Sequence, residues 1–115
     1  MKEMMSVEDW EACLAASDDK PVLVFKHSTR CPISTAAHAC VTKYGEDAPE
    51  IAPEVRMVKV IESRPVSNAI AEVLDVAHQS PQLILLRGRK ALWSASHYDI
   101  SPENIAHALD TFVAP

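Results

Sequence analysis

Apolar and polar residues follow two patterns along this chain, and each pattern predicts a different kind of element. Four apolar runs have the length of strands, and the first is unbroken, which is typical of a strand covered on both faces. Elsewhere apolar residues recur three or four positions apart, which predicts amphipathic helices. The predicted strands cover residues 22–25, 55–61, 82–86 and 91–95. The elements therefore follow the order α-β-α-β-α-β-β-α.

The connections between these elements predict how the strands pair. A strand, a helix and a second strand in succession favour a right-handed crossover, which makes the two strands parallel. Residues 87–90 contain a glycine between the last two strands, which predicts a β-hairpin. We therefore expect one α/β domain over residues 1–115, with a four-stranded mixed sheet flanked by helices.

Capping residues mark where the predicted helices begin and end. Ser6 opens the first helix with a capping-box pattern. The second helix is predicted over residues 32–44, with Gly45 as the left-handed residue that follows its last turn. The third and fourth helices begin near Ser63 and at Ser101, in each case just before a proline.

Composition and charge narrow the function class. The chain has 115 residues, a net charge of -5 and 48% hydrophobic residues, which suits one domain with its own core. The negative charge argues against general binding of nucleic acid or anionic membranes, because both require a basic surface. No apolar run reaches membrane-spanning length, and the N-terminus lacks the apolar segment of a signal peptide. We therefore expect a cytoplasmic protein.

The segment from residue 22 to residue 34 carries the candidate chemistry. Polar residues 26–30 are expected to end the first strand, and Pro32 suits the first position of the next helix. Cys31 then lies at or next to the N-cap, where free N–H groups and the helix dipole stabilise a thiolate. His27 and Arg30 add cationic character nearby. Because the thiolate is the reactive form, Cys31 is the predicted nucleophile.

The side chains around Cys31 each allow two interpretations. Ser34, one helical turn further on, is expected to hydrogen-bond either the thiolate or a free N–H of the first turn. His27 either shapes the turn or assists Cys31. Arg30 either attracts a carboxylate-bearing thiol or is simply solvated.

The other two cysteines are expected to be structural. Three cysteines in a reducing compartment predict free thiols. Cys13 lies on the apolar face of the first helix, where cysteine behaves as a small hydrophobe. Cys40 lies about 13 Å along the helix from Cys31, whereas a disulfide needs Cα atoms within roughly 7 Å. A resolving role for Cys40 would require local unfolding or a second molecule. No zinc-type spacing is present, so no structural metal is expected.

Two strings of residues carry a family resemblance. Cys31-Pro32-Ile33-Ser34 resembles the monothiol form of the thioredoxin superfamily motif. The longer string Lys26-His-Ser-Thr-Arg-Cys-Pro-Ile-Ser34 resembles the hallmark segment of the YtxJ-type monothiol bacilliredoxins. Residues 78–82 and 96–100 are also similar to segments of that family. The resemblance covers nearly the whole chain and implies a thioredoxin-like fold.

The resemblance also implies a site that extends beyond Cys31. In thioredoxin-like folds a cis proline opens the third strand and faces the nucleophile, and Ser80-Pro81 stands at that position. The backbone of the residue before such a proline can hydrogen-bond a substrate like an added strand. The implied catalytic group comprises Cys31, Pro32, Ser34 and His27. The implied substrate-binding group comprises Arg30, Ile33, Ser80, Pro81 and His97.

The resemblance implies monothiol exchange that removes bacillithiol from client proteins. Because Ser34 replaces a second cysteine, a dithiol cycle is not expected, and a free low-molecular-weight thiol must resolve the adduct on Cys31. Bacillithiol is the implied co-substrate, with no bound cofactor and with a downstream NADPH-dependent disulfide reductase. The alternatives are a glutaredoxin-like deglutathionylase, an iron-sulfur-binding module shared between two protomers, and an adaptor without turnover that binds clients beside Pro81.

Overall fold

Five strands form one mixed β-sheet between helices in the computed structural model, which describes residues 1–113. The strands are β1 (Lys2–Glu3), β2 (Val22–His27), β3 (Glu54–Lys59), β4 (Gln82–Arg87) and β5 (Lys90–Ser96). The helices are α1 (Val7–Ala16), α2 (Pro32–Asp47), α3 (Arg64–Leu74) and α4 (Pro102–Phe112). A short 3-10 turn over His97–Asp99 joins β5 to α4.

The strand order across the sheet is β1-β3-β2-β4-β5. β3 is parallel to both β1 and β2, whereas β4 is antiparallel to β2 and to β5. The predicted parallel crossover and hairpin are therefore confirmed. The prediction of four strands is wrong by one, because β1 has only two residues. Two residues are too few to produce a detectable alternation in a sequence.

The central strands separate two hydrophobic cores, because consecutive side chains of a strand point to opposite faces. The first core lies between the sheet and helices α1 and α3, and it includes Val24, Ile84 and Ile70. The second core includes Phe25 and Leu85 and is completed by residues of α2 and α4. Both cores therefore pack directly against β2, the strand that leads to Cys31.

Cys13 is fully buried in the first core, as expected. Burial raises the pKa of the Cys13 thiol to about 11, so this thiol is protonated near neutral pH. A buried and protonated thiol is a poor nucleophile. The interpretation of Cys13 as a packing residue is confirmed.

Strand β2 extends two residues further than predicted. Lys26 pairs with Val58 on one side and with Gln82 on the other, and His27 pairs with Lys59. Both side chains are buried, and each has a hydrogen-bond partner outside the strand, His78 for Lys26 and Ser34 for His27. The expectation that polar residues end this strand is therefore wrong, because tertiary contacts satisfy the two polar side chains.

Helix α2 also extends beyond its predicted end. It continues through Gly45 to Asp47, and the N–H of Ala48 still bonds the carbonyl of Tyr44. The prediction that Gly45 follows the helix in a left-handed conformation is wrong. Pro49 provides the physical reason, since a proline disfavours helical dihedrals at the preceding residue. Ala48 is accordingly extended, with φ -71° and ψ 142°.

The remaining boundaries agree with the sequence to within two residues, the largest difference being β3, which ends at Lys59 and not at residue 61. Ser6 makes both hydrogen bonds of the capping box with Asp9, and the Ser101 hydroxyl accepts the N–H of Asn104. Ser63 is the N-cap of α3. Within residues 1–113, no helix is both long enough and apolar enough to cross a membrane.

Candidate active site

Cys31 is the N-cap of α2, as its position before Pro32 predicts. Its backbone is extended, with φ -114° and ψ 122°, and its carbonyl accepts the N–H of Thr35 at 3.0 Å. The Cys31 sulfur makes no capping hydrogen bond. The first N–H groups of α2 therefore remain oriented toward the region of the thiol, as expected at a helix N-terminus.

The Cys31 thiol is free and half-buried beside a shallow surface depression. The depression has a volume of about 360 Å³ and is lined by Thr29, Arg30, Cys31, Pro32 and Thr35. Arg30 and Pro32 are exposed, and Ile33 is half-buried behind them in the chain. A small thiol or a disulfide can therefore reach the sulfur from solvent with a cation at its side.

Ser34 holds the end of β2 against the first turn of α2. Its hydroxyl oxygen is fully buried, accepts the N–H of Ser28 at 2.9 Å and lies 2.8 Å from Nδ1 of His27. A serine hydroxyl has one proton and two lone pairs, so these contacts use its bonding capacity on residues 27 and 28. The structure therefore gives neither expected partner to Ser34, since it bonds neither the thiolate nor a first-turn N–H.

His27 lies in a stack of three rings beneath α2. Its ring centroid is 5.6 Å from that of Phe25 and 4.7 Å from that of His38. Burial, followed by the nearby His38, lowers the pKa of His27, so the imidazole is neutral at pH 7. The expectation that His27 adds positive charge near the thiol is therefore wrong. His38 is half-buried in this stack.

A second contact links the active-site turn to the loop after β3. The Thr29 hydroxyl donates to the carboxylate of Glu62 at 3.0 Å. The pKa of Glu62 is lowered by a backbone hydrogen bond, by Thr29 and by the positive charges of Lys59 and Arg30. Glu62 is therefore ionised at neutral pH and lies among the cations that surround the turn. The sequence offered no signal for this contact, which joins residues 33 positions apart.

The Ser80–Pro81 peptide bond is cis, as expected from the family resemblance. Pro81 is buried at the start of β4, and its carbonyl accepts the backbone N–H of His97 at 3.0 Å. His97 has a positive φ of 54° and an exposed side chain. The structure thus brings His97 to Pro81. Among the described residues, no hydrogen bond joins either of them to Cys31.

Residues 2–105 match the family model described as monothiol bacilliredoxin BrxC. The chain belongs to this family. The resemblance to monothiol bacilliredoxins is therefore confirmed over nearly the whole chain, and it places the protein in a family of thiol redox function.

Solved structures show the fold of this family member independently. A thioredoxin-fold protein proposed to be an oxidoreductase is 29% identical, with a TM-score of 0.80 over 93% of this chain and 91% of its own. Thioredoxin from Fasciola hepatica is 13% identical, with a TM-score of 0.78 over 96% and 98% of the two chains. Thioredoxin from Malassezia sympodialis is 14% identical, with a TM-score of 0.78 over 99% and 91%. The thioredoxin-like fold is therefore confirmed.

Sequence patterns did not identify a polar contact on the opposite face of the sheet. Nζ of Lys26 lies 3.2 Å from Nδ1 of His78, and the Lys26 side chain is fully buried. Burial lowers the pKa of Lys26 to about 8. Lys26 and His78 both lie in segments that are similar to segments of the bacilliredoxin family. That similarity is the one feature of the sequence that could have pointed to them.

Cys40 lies between α2 and α4, away from the first turn of α2. It is half-buried and lines an apolar groove with Tyr44, Ile105 and Leu109. Burial, with a contribution from Glu103, raises the pKa of the Cys40 thiol. This environment agrees with the predicted packing role. Within residues 1–113, no group of His, Cys, Asp and Glu side chains is arranged to hold a metal ion.

Proposed function

We propose that the protein removes bacillithiol from protein mixed disulfides by monothiol exchange through Cys31. The observation that carries this proposal is Ser34, which occupies the position of a second active-site cysteine and uses its hydroxyl on His27 and Ser28. Without a second thiol one turn from Cys31, the adduct on Cys31 must be resolved by a thiol from outside the protein.

The exchange takes two balanced steps. In the first, the Cys31 thiolate attacks the bacillithiol sulfur of the mixed disulfide, and the disulfide bond breaks as the client thiolate leaves and takes up a proton. In the second, a free bacillithiol thiolate attacks the same sulfur, now bonded to Cys31. Bacillithiol disulfide leaves, and the Cys31 thiolate is restored without net oxidation of the protein.

Three features of the site support the first step. Cys31 is free and reaches a solvent-accessible depression, and it lies at the positive end of α2. The exposed Arg30 offers a cation to a carboxylate-bearing thiol. The backbone of Ser80, before the cis proline, offers hydrogen-bonding groups to an extended segment of the client.

The identity of the small thiol rests on the family rather than on the geometry. Membership of the monothiol bacilliredoxins supports bacillithiol over glutathione. The same reasoning leads us to propose a cytoplasmic protein, bacillithiolated client proteins as substrates, and an NADPH-dependent reductase that recycles the bacillithiol disulfide.

Intact-mass spectrometry tests this proposal directly. The wild type and Cys31→Ala are exposed to a bacillithiolated client protein and, in parallel, to the same client carrying glutathione. We expect one bacillithiol adduct on the wild type and none on Cys31→Ala, with release of the client thiol. Cys40→Ala is the matched control, and it is expected to take up the adduct as the wild type does.

The other outcomes separate the alternatives. Transfer from the glutathionylated client alone would assign a deglutathionylase. If neither client gives an adduct, the exchange mechanism is contradicted. If Cys31→Ala in addition still binds the client, the protein is an adaptor.

A further inference from the structure

Lys26 is a buried cation that forms no salt bridge with a carboxylate of residues 1–113. Its side chain is fully buried in the middle of the sheet, on the face covered by α1 and α3. Among the described residues, no carboxylate forms a salt bridge with it, and its hydrogen-bond partner is Nδ1 of His78 at 3.2 Å. Lysine is almost never fully buried unless it is paired. The contact with His78 is therefore an unusual way to satisfy a buried ammonium group.

The contact holds a segment that has no regular secondary structure. Residues 76–80, the cis-proline segment, connect α3 to β4 and end at the cis bond before Pro81. Ser67 of α3 brings its hydroxyl within 3.4 Å of the same His78 nitrogen. Gln82, which lies opposite Lys26 across the sheet, donates its side-chain N–H to the carbonyl of Ala77 at 3.1 Å.

These three side chains attach the cis-proline segment to the sheet and to α3. A segment without backbone ladder bonds depends on such contacts for its order. The bond from Lys26 is the one with a charged donor, and hydrogen bonds with an ionised partner are roughly twice as strong as neutral ones. Ser67 approaches the same Nδ1 lone pair, and Lys26 is the one charged donor to it among the described residues.

We propose that Lys26 is a positioning residue for exchange with protein substrates. By donating to His78, its ammonium group holds the cis-proline segment in place, so that the Ser80 backbone meets an extended segment of the client. This inference rests on the proposed function and adds to it a residue that acts at a distance from Cys31. The depression beside Cys31 is lined by residues 29–32 and 35 and by none of residues 76–80, so a small disulfide bound there is expected not to depend on the cis-proline segment.

The contact requires a neutral His78, since Nδ1 must accept the hydrogen bond. The charged groups near His78 are Lys26 and Arg64, and both are cations that disfavour its protonation. Partial burial of the ring is the largest influence and acts in the same direction, so the pKa of His78 is lowered although the residue is exposed on one side. Near neutral pH the charged donor and the neutral acceptor are therefore both present.

Lys26→Met is the decisive variant. Replacing a buried charged group with an apolar one of similar volume is often neutral or stabilising, so this variant is expected to fold. We expect its KM for a bacillithiolated client to rise about tenfold, because the variant loses one charge-assisted hydrogen bond. Its kcat and KM for a small mixed disulfide between bacillithiol and a different low-molecular-weight thiol are expected to equal those of the wild type, because that thiol is released as the product. Lys90→Met, at the exposed start of β5, is the matched control.

Two further measurements separate positioning from general damage. His78→Gln retains an acceptor for Lys26, so its KM for the client is expected to stay close to that of the wild type. His78→Leu has no acceptor and is expected to behave like Lys26→Met. In NMR relaxation measurements, the backbone order parameters of residues 77–80 are expected to fall in Lys26→Met, while those of β2 and β4 stay unchanged.

Two results would overturn the inference: an unchanged client KM in a folded Lys26→Met, or an equal loss with the client and with the small disulfide. If Lys26→Met does not fold, His78→Leu tests the same contact from its other side. If the wild type transfers no bacillithiol at all, the proposed function fails, and the order parameters of residues 77–80 still decide whether Lys26 orders the segment.

Discussion

At the scale of single residues, Ser34 explains how one hydroxyl organises the turn before Cys31. It joins the last residue of β2 to the first residue after that strand and lies on the first turn of α2. A cysteine at this position would supply a resolving thiol but a much weaker hydrogen-bonding group. Serine at position 34 therefore favours a fixed turn over a dithiol cycle.

Ser34→Ala tests this account of the turn. The substitution leaves Nδ1 of His27 and the N–H of Ser28 without their partner in a buried environment, and each such group costs about 1–3 kcal/mol. We expect the free energy of unfolding in urea to fall by about 2 kcal/mol. Ser94→Ala, on the exposed side of β5, is the control and is expected to change stability little. Equal stability of both variants would contradict this role.

His27 gives the protein a predictable response to acid. Because its pKa in the native state is below its ordinary value of 6.5, the unfolded chain binds more protons as pH falls. Stability is therefore expected to decrease below about pH 6.5. His38 and Lys59 strengthen this effect and Glu62 opposes it. His78, whose pKa is also lowered, contributes with the same sign.

His27→Asn isolates the contribution of His27, because the Asn side chain retains an acceptor for Ser34 but does not titrate in this range. Urea unfolding of both proteins at several values between about pH 5 and pH 8 provides the comparison. We expect a shallower loss of stability toward acid in the variant, with His78 and, at the upper end of the range, Lys26 contributing to the loss that remains. Identical slopes for the two proteins would exclude His27 as a source of acid sensitivity.

At the scale of elements, the sequence located every helix and four of the strands, and it failed where a contact overrides a local rule. Lys26 and His27 continue β2 because His78 and Ser34 satisfy them, and no local pattern reveals partners 52 and 7 residues away. Gly45 is a comparable case, since the local preference of glycine for helix ends is overridden by the position of Pro49.

Gly45→Ala tests the revised boundary of α2. Gly45 lies inside the helix, and a Cβ atom built there meets nothing within 4 Å. Alanine is therefore expected to raise the free energy of unfolding by about 0.5–1 kcal/mol. Gly88→Ala is the matched comparison, because Gly88 has a φ of +59° in the hairpin turn and the variant is expected to be destabilised. A destabilised Gly45→Ala would instead support a left-handed residue at the helix end.

At the scale of the whole molecule, β2 unites the parts of the site. Consecutive residues of this strand place Lys26 on the face with α3 and His27 on the face with α2, and the strand ends at the turn that carries Cys31. One face fixes the turn through Ser34, and the other face holds the cis-proline segment through His78. Local patterns predict the order of the elements, and the strings shared with the family point to Cys31 and Pro81. The two attachments cannot be predicted in this way, because they form only when the sheet is folded.

In the proposed mechanism one thiol, Cys31, suffices for the complete exchange. The most direct measurement is the steady-state rate of client release, with free bacillithiol as the resolving thiol, by a variant with alanine at both Cys13 and Cys40. We predict the wild-type rate for this variant and no turnover for Cys31→Ala, because Cys13 is buried in the first core and Cys40 packs between helices. A folded double variant that forms the Cys31 adduct but fails to turn over would contradict the account and would assign resolution to one of the other two cysteines.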